Sequence, residues 1–224
     1  MNDLVDERAT AVAEEIVDAG GQAAPLALDV TDWAAVQAGV RASGPFDVLV
    51  NNAGNNGAAA SLGAGDLAPF TETDPRDWEP FIRVNLYGVM NTVRAVLPGM
   101  VEGRYGRIVT VISDAGRVGE PTMAAYSAAK AGAAGFSRAI AREVGRHGVT
   151  VNCVSLGTLA APHRHAARTS EQLAAAEKAL GRYVVRRPGE PEEVAALVAL
   201  LVGPMAGWTT GQTYPVNGGY SFAL

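Results

Sequence analysis

Thiols are almost absent: Cys153 is the only cysteine in 224 residues. One thiol cannot close an internal disulfide, so a reducing compartment is expected and the fold must rest on packing. Excess positive charge is also missing. Lys and Arg number 18 against 23 Asp and Glu, for a net charge of -5. Without a basic block, nucleic acid is excluded as the main expected partner. No apolar run is long enough to cross a bilayer; the longest lies near 194–202. The first residues, Met1-Asn2-Asp3-Leu4-Val5-Asp6-Glu7, are acidic and lack the basic and apolar stretches of a leader. A cytoplasmic protein with no membrane partner is therefore expected.

What is present is an ordinary globular composition, 48% hydrophobic and 18% charged. The length suits one domain with a sizeable core, and no repeat or linker divides 1–224. Helical periodicity predicts helices over 5–19, 32–42, 75–101, 123–147, 170–180 and 191–202. Short apolar runs predict strands over 24–30, 46–50, 107–112, 149–154 and 213–216. Runs apolar on both faces belong to parallel sheets. Strands alternating with helices predict an α/β fold with a doubly wound parallel sheet and helices on both faces. Ligands on such sheets bind at the carboxyl ends of the strands. Asp29-Val30, Asn51-Asn52-Ala53-Gly54, Ser113 and the loop after Val154 all fall there.

Tyr126 and Lys130 lie one helical turn apart, on one helix face. An ammonium near a phenol favours the phenolate and lowers a pKa that is normally about 10, so Tyr126 is a candidate for moving protons at neutral pH. Ser113 ends the preceding strand and can point into the same cleft. Asn85 lies inside the long helix although Asn is a poor helix former; its amide either binds water or the lysine, or faces solvent.

These residues, in this order and spacing, resemble the short-chain dehydrogenase/reductase family over nearly the whole chain. The resemblance implies that Tyr126 is the general acid/base. Lys130 lowers its pKa and binds the nicotinamide ribose. Ser113 polarises the substrate oxygen, and Asn85 holds a water in the proton relay. It further implies cofactor contacts at Asp29 and Val30 beside the adenine, at Asn52, Ala53 and Gly54, and at Gly157 and Leu159. Asn217-Gly218-Gly219 resembles the family's C-terminal strand end. Leu156-Gly157 stands where Pro-Gly is usual, and Ala161 where a nicotinamide-contacting threonine is usual. The 55–67 loop is longer than usual. The family's first strand, glycine-rich phosphate loop and first helix have no counterpart. Met1-Asn2-Asp3-Leu4 resembles the tail of the second strand, so the natural start is expected upstream. Asp3 at that strand end can accept hydrogen bonds from ribose hydroxyls and repel a 2′-phosphate, so NAD is expected rather than NADP.

The expected function is hydride transfer between NAD(P) and a secondary alcohol or ketone, a 3-oxoacyl thioester or a cyclic alcohol by resemblance. The alternatives are an inactive, cofactor-deficient fragment, or a dehydratase or epimerase on the same fold. Residues 158–185 are expected to form the substrate lid. A homodimer or homotetramer is expected through helices 75–101 and 123–147, whose Ala- and Gly-rich faces allow close packing. No metal site is expected: His163 and His165 lack acidic or thiol neighbours. Cys153 reads as core, Arg186-Arg187 as a solvated turn, and Gly63 to Ala68 as a chance match to a glycine-rich loop. Trp208 and Tyr214 read as packing or interface residues.

Overall fold

A computed structural model describes residues 1–54, 68–160, 169 and 177–222. The 55–67 loop, Ala161, His163, His165 and most of the expected 170–180 helix lie outside the described residues.

The elements follow the expected βα alternation. They are β1 Asn2–Asp3, α1 Asp6–Asp18, β2 Leu26–Ala27, α2 Trp33–Ser43, β3 Val48–Asn51, α3 Pro75–Ile82, α4 Gly88–Glu102, β4 Gly106–Ser113, α5 Ala115–Val118, α6 Ala124–Val144, β5 Val149–Leu156, α7 Pro191–Val202 and β6 Thr213–Val216. Helix starts are set locally. Asp32 caps α2 by accepting from the Ala34 and Ala35 amides. α3 and α7 each begin with a proline and close a reciprocal capping box, Asp74 with Asp77 and Glu190 with Glu193.

β3, β4, β5 and β6 form a parallel sheet in that order, with Val50 beside Val109, Thr110 beside Cys153 and Ser155 beside Pro215. β1 and β2 form a separate parallel pair. The strand expected over 24–30 shortens to Leu26–Ala27, because only two of its residues find a ladder partner in β1. Among the described residues β3 has a neighbour on one side only, and its Val48 and Val50 stay 38% and 40% exposed. In contrast, Ile108, Val109 and Val154 of β4 and β5 are fully buried.

The main core lies between α4, α6 and the sheet, around Val89, Val93, Val96, Met100, Ile108 and Val151. A second cluster packs α7 on the other face through Val194 and Leu201, against Val109 and Val154. Helices on both faces make the sheet doubly wound. Met100 is 1% exposed, and Met100→Ala is expected to cost about 2–5 kcal/mol, read as a lower denaturant midpoint with an unchanged slope. Tyr214 packs in the second cluster, whereas Trp208 is fully exposed.

Candidate active site

The site grows from the carboxyl end of β4. Ser113 is the last residue of that strand, and its Oγ accepts the Ala115 amide at 3.2 Å. The chain then runs through α5 before α6 begins, so Ser113 and Tyr126 are separated by a short extra helix that the apolar pattern does not reveal. Small residues let α6 lie close on the sheet: Ala133 and Ala134 pack against Ile112 and Cys153. That approach brings Tyr126, in the first turn of α6, close enough to Ser113 for the serine to bear on its phenol. Phe81 of α3 meets the Tyr126 ring edge-on at 6.3 Å.

Lys130 is 5% exposed. Its Nζ donates to the Val111 carbonyl of β4 at 2.9 Å and lies 5.8 Å from the centre of the Tyr126 ring. Burial pushes the Lys130 ammonium down to about 8. The expected lowering of Tyr126 is corrected here. Burial pushes the phenol above its usual value, and Ser113 acts in the opposite direction without overcoming it. The ammonium is turned to the Val111 carbonyl.

The helix expected over 75–101 is interrupted by a five-residue π segment, Arg83–Tyr87. Asn85 lies inside it and is fully buried, with its Nδ2 donating to the Phe81 carbonyl at 3.0 Å. The solvent-facing alternative for Asn85 is thereby removed. A π turn widens the helix by one residue and is frequent at functional sites; propensity alone marks Asn85 as unusual but not the widened turn. Gly54 closes the group. A Cβ there would lie 3.2 Å from Asn85 Oδ1 and 3.5 Å from Lys130 Nζ, so both side chains converge on its bare backbone.

The remaining expected residues, Leu159 excepted, follow the carboxyl ends of strands in both sheets. Asp3 ends β1, its Oδ1 accepting the Val5 amide at 2.9 Å with Arg8 at 3.9 Å. Asp29 is exposed and accepts the Thr31 amide at 2.8 Å. Val30 is tied to α4, its carbonyl accepting Asn91 Nδ2 at 3.0 Å. Asn52 and Ala53 are exposed in the turn after β3. Gly157 follows β5, its amide donating to the Val216 carbonyl. Leu159 stands apart: it bridges to Gly189, and its side chain packs in the apolar cluster under α7.

Sequence reasoning passed over Asp114, although an acid directly after a strand-end serine was a visible signal. Its carboxylate is buried beside Ser113 and accepts hydrogen bonds from Ser155, Arg117, Asn217 and Ser221. Cys153 is buried core, and burial raises its thiol pKa. Arg187 pairs with Glu193 in an exposed turn. Among the described residues no group of side chains could hold a metal ion, and no helix is long and apolar enough to cross a membrane.

Residues 2–221 match a family model described as enoyl-(acyl carrier protein) reductase. The chain belongs to the short-chain dehydrogenase/reductase family. It is 35% identical to the 3-oxoacyl-[acyl-carrier-protein] reductase FabG of Vibrio harveyi over 231 residues, covering 97% of this chain and 89% of that protein. It is 37% identical to an acetoacetyl-CoA reductase of Shinella zoogloeoides, covering 80% of this chain and 69% of that protein. The crystal structure of a 3-oxoacyl-[acyl-carrier protein] reductase from Brucella melitensis with bound NAD superposes with a TM-score of 0.86 at 34% identity. That match covers 99% of this chain and 80% of the other. The protein is thus an NAD(P)-dependent dehydrogenase/reductase with the family's Rossmann-like α/β architecture.

In this dehydrogenase/reductase the Gly54 approach gives a direct test of site geometry. A Gly54→Ala change crowds Asn85 Oδ1 by a few tenths of an ångström and meets Lys130 Nζ at ordinary contact distance. Positioning errors of that kind are costly in catalysis, and kcat is expected to fall about tenfold. Thermal unfolding of the variant should stay near that of the parent, since Gly54 lies in an exposed turn.

Proposed function

We propose that the chain reduces a 3-oxoacyl thioester to the 3-hydroxyacyl thioester, with NAD(H) as the preferred cofactor. The observation that carries this reading is the convergence of Ser113, Tyr126, Lys130 and Asn85 at one strand end, with Lys130 Nζ 5.8 Å from the centre of the Tyr126 ring and beside Gly54. The substrate class rests on the reductases named above.

The residues present fit a dinucleotide. Gly54 leaves a cradle that a Cβ would fill. Lys130 supplies a buried ammonium, and Asp3 and Asp29 put carboxylates at two strand ends. Lys130 and Tyr126 would hold the nicotinamide ribose; Asn52, Ala53, Gly54 and Gly157 would border the cofactor; Asp29 and Val30 would meet the adenine side. Bound NADH supplies the hydride. Ser113 holds the substrate oxygen with its Oγ–H, and Tyr126 gives that oxygen the proton from Oη as negative charge develops there. Lys130 and Asn85 then return a proton toward Tyr126 through water. In the reverse direction Tyr126 takes the alcohol proton.

The preference for NAD rests on Asp3, whose charge would repel a 2′-phosphate. Arg8, 3.9 Å away, is the group that would receive one. Purified protein is expected to quench and saturate with NADH at lower concentration than with NADPH, and Asp3→Ser should narrow the gap. Tighter NADPH binding by the parent would sink the preference. Oxidation of NADH on addition of acetoacetyl-CoA tests the reaction itself. No turnover with thioesters, together with reduction of NAD by cyclic secondary alcohols, would replace the substrate class.

The reading includes a cytoplasmic protein of one domain, with residues 158–185 as its lid. It assembles as a homodimer or homotetramer through 75–101 and 123–147, where α6 exposes Ala124, Ala128 and Ala131. Relatives named as reductases give no support to the inactive-fragment alternative.

A further inference from the structure

Asp114 is used by none of the steps above, yet it is 2% exposed and fully engaged. Oδ1 accepts Ser155 Oγ at 2.6 Å and the Arg117 guanidinium at 3.0 Å. Oδ2 accepts Asn217 Nδ2 at 2.5 Å and Ser221 Oγ at 2.8 Å. Its backbone amide donates to Leu156 at 3.0 Å, one step beyond Ser113 on the β4–β5 ladder, and its carbonyl caps Arg117 and Val118. Arg117 and Asn217 extend the network. Arg117 reaches Ser221 Oγ at 2.9 Å and the Phe222 carbonyl at 3.0 Å. Asn217 reaches the Ser221 carbonyl at 2.8 Å. One carboxylate thus ties together the ends of β4, β5 and β6 and the C-terminal segment.

We propose that Asp114 is the positioning residue for Ser113, and that residues 217–222 serve the active site by holding Asp114 in place. This rests on Ser113 acting on the substrate oxygen. The geometry supports it because Ser113 Oγ is oriented by the Ala115 amide, and that amide lies between Asp114 and Arg117, the two ends of the ion pair. A buried charge pair with every acceptor site filled over-determines the local backbone. A surface loop alone would leave the serine free to turn. An asparagine at this position presents an NH2 group to a ring of donors, so at least one side of the network must open.

The test is a double-mutant cycle on the full chain with NADH and acetoacetyl-CoA. Asp114→Asn alone is expected to lower kcat about ten- to a hundredfold with little change in NADH affinity. Ser221→Ala, which removes the hydroxyl's bonds with Asp114, Arg117 and Asn217 on the far side of the network, is expected to lower kcat a few-fold and keeps the test available if Asp114→Asn fails to fold. In a Ser113→Ala background neither change should lower the residual kcat further, because a positioning residue has nothing left to position. Losses that multiply in that background, or an unchanged kcat for both single variants, would overturn the proposal. Full activity of Ser113→Ala by itself would instead overturn the catalytic reading of Ser113.

Discussion

Tyr126→Phe is expected to lower kcat/KM for thioester reduction by about 10²–10⁴-fold, the usual contribution of a positioned general acid. That corresponds to about 3–5 kcal/mol of transition-state stabilisation. The change removes only the hydroxyl. The ring keeps its edge contact with Phe81 and its place in the first turn of α6, so unfolding should change little and NADH should still bind. Tyr126 also carries a sign that the activity can read. Burial holds its phenol above the usual value, so the proton is fully in place for ketone reduction at neutral pH. Alcohol oxidation needs the phenolate and should gain rate as pH rises. The measurement is the initial rate of NADH consumption or formation across pH, in both directions. A Tyr126→Phe variant with rates within a few-fold of the parent would remove Tyr126 from the chemistry.

The parts of this site that sequence made legible are those set by local pattern. Continuous apolar runs marked β4 and β5 as buried parallel strands, and the predicted 191–202 and 213–216 appear with those bounds as α7 and β6. The helical spacing of Tyr126 and Lys130 placed them on one face. What sequence left hidden depends on long-range partners. The lowering of the Tyr126 pKa failed because burial among residues of other elements raises the phenol, while the Lys130 ammonium is turned to the Val111 carbonyl. The π segment at Asn85 arises where a buried amide competes with the helix ladder for the Phe81 carbonyl, which propensity does not encode. The Asp114 network joins residues more than a hundred positions apart, and only the sheet's register brings them together. β2 was over-extended because a short apolar run forms ladder only as far as its neighbour reaches.

Lys130→Met should separate the electrostatic role of the lysine from its packing. Methionine has a similar length and no charge, so the neighbouring core keeps its shape while the contact to the Val111 carbonyl at 2.9 Å is lost. kcat is expected to fall by about two orders of magnitude, because both the ribose contact and the proton relay lose their charged member. Stability should respond in the opposite sense as pH changes. Lys130 titrates near 8 in the folded protein against 10.5 in an unfolded chain. Below about pH 8 the ammonium is charged in both states, and its burial opposes folding by about 3 kcal/mol, the equivalent of that difference. Between about 8 and 10.5 the unfolded state binds more protons, so the parent gains stability from this group as pH rises. Cys153 acts the other way, since burial raises its thiol pKa, and it feels the Lys130 charge, so both proteins in the comparison carry Cys153→Ala. The unfolding free energy of the parent minus that of Lys130→Met should therefore increase from pH 8 to pH 10. A difference independent of pH would mean that Lys130 is solvated in the folded protein, and the buried ammonium on which the relay depends would have to be abandoned.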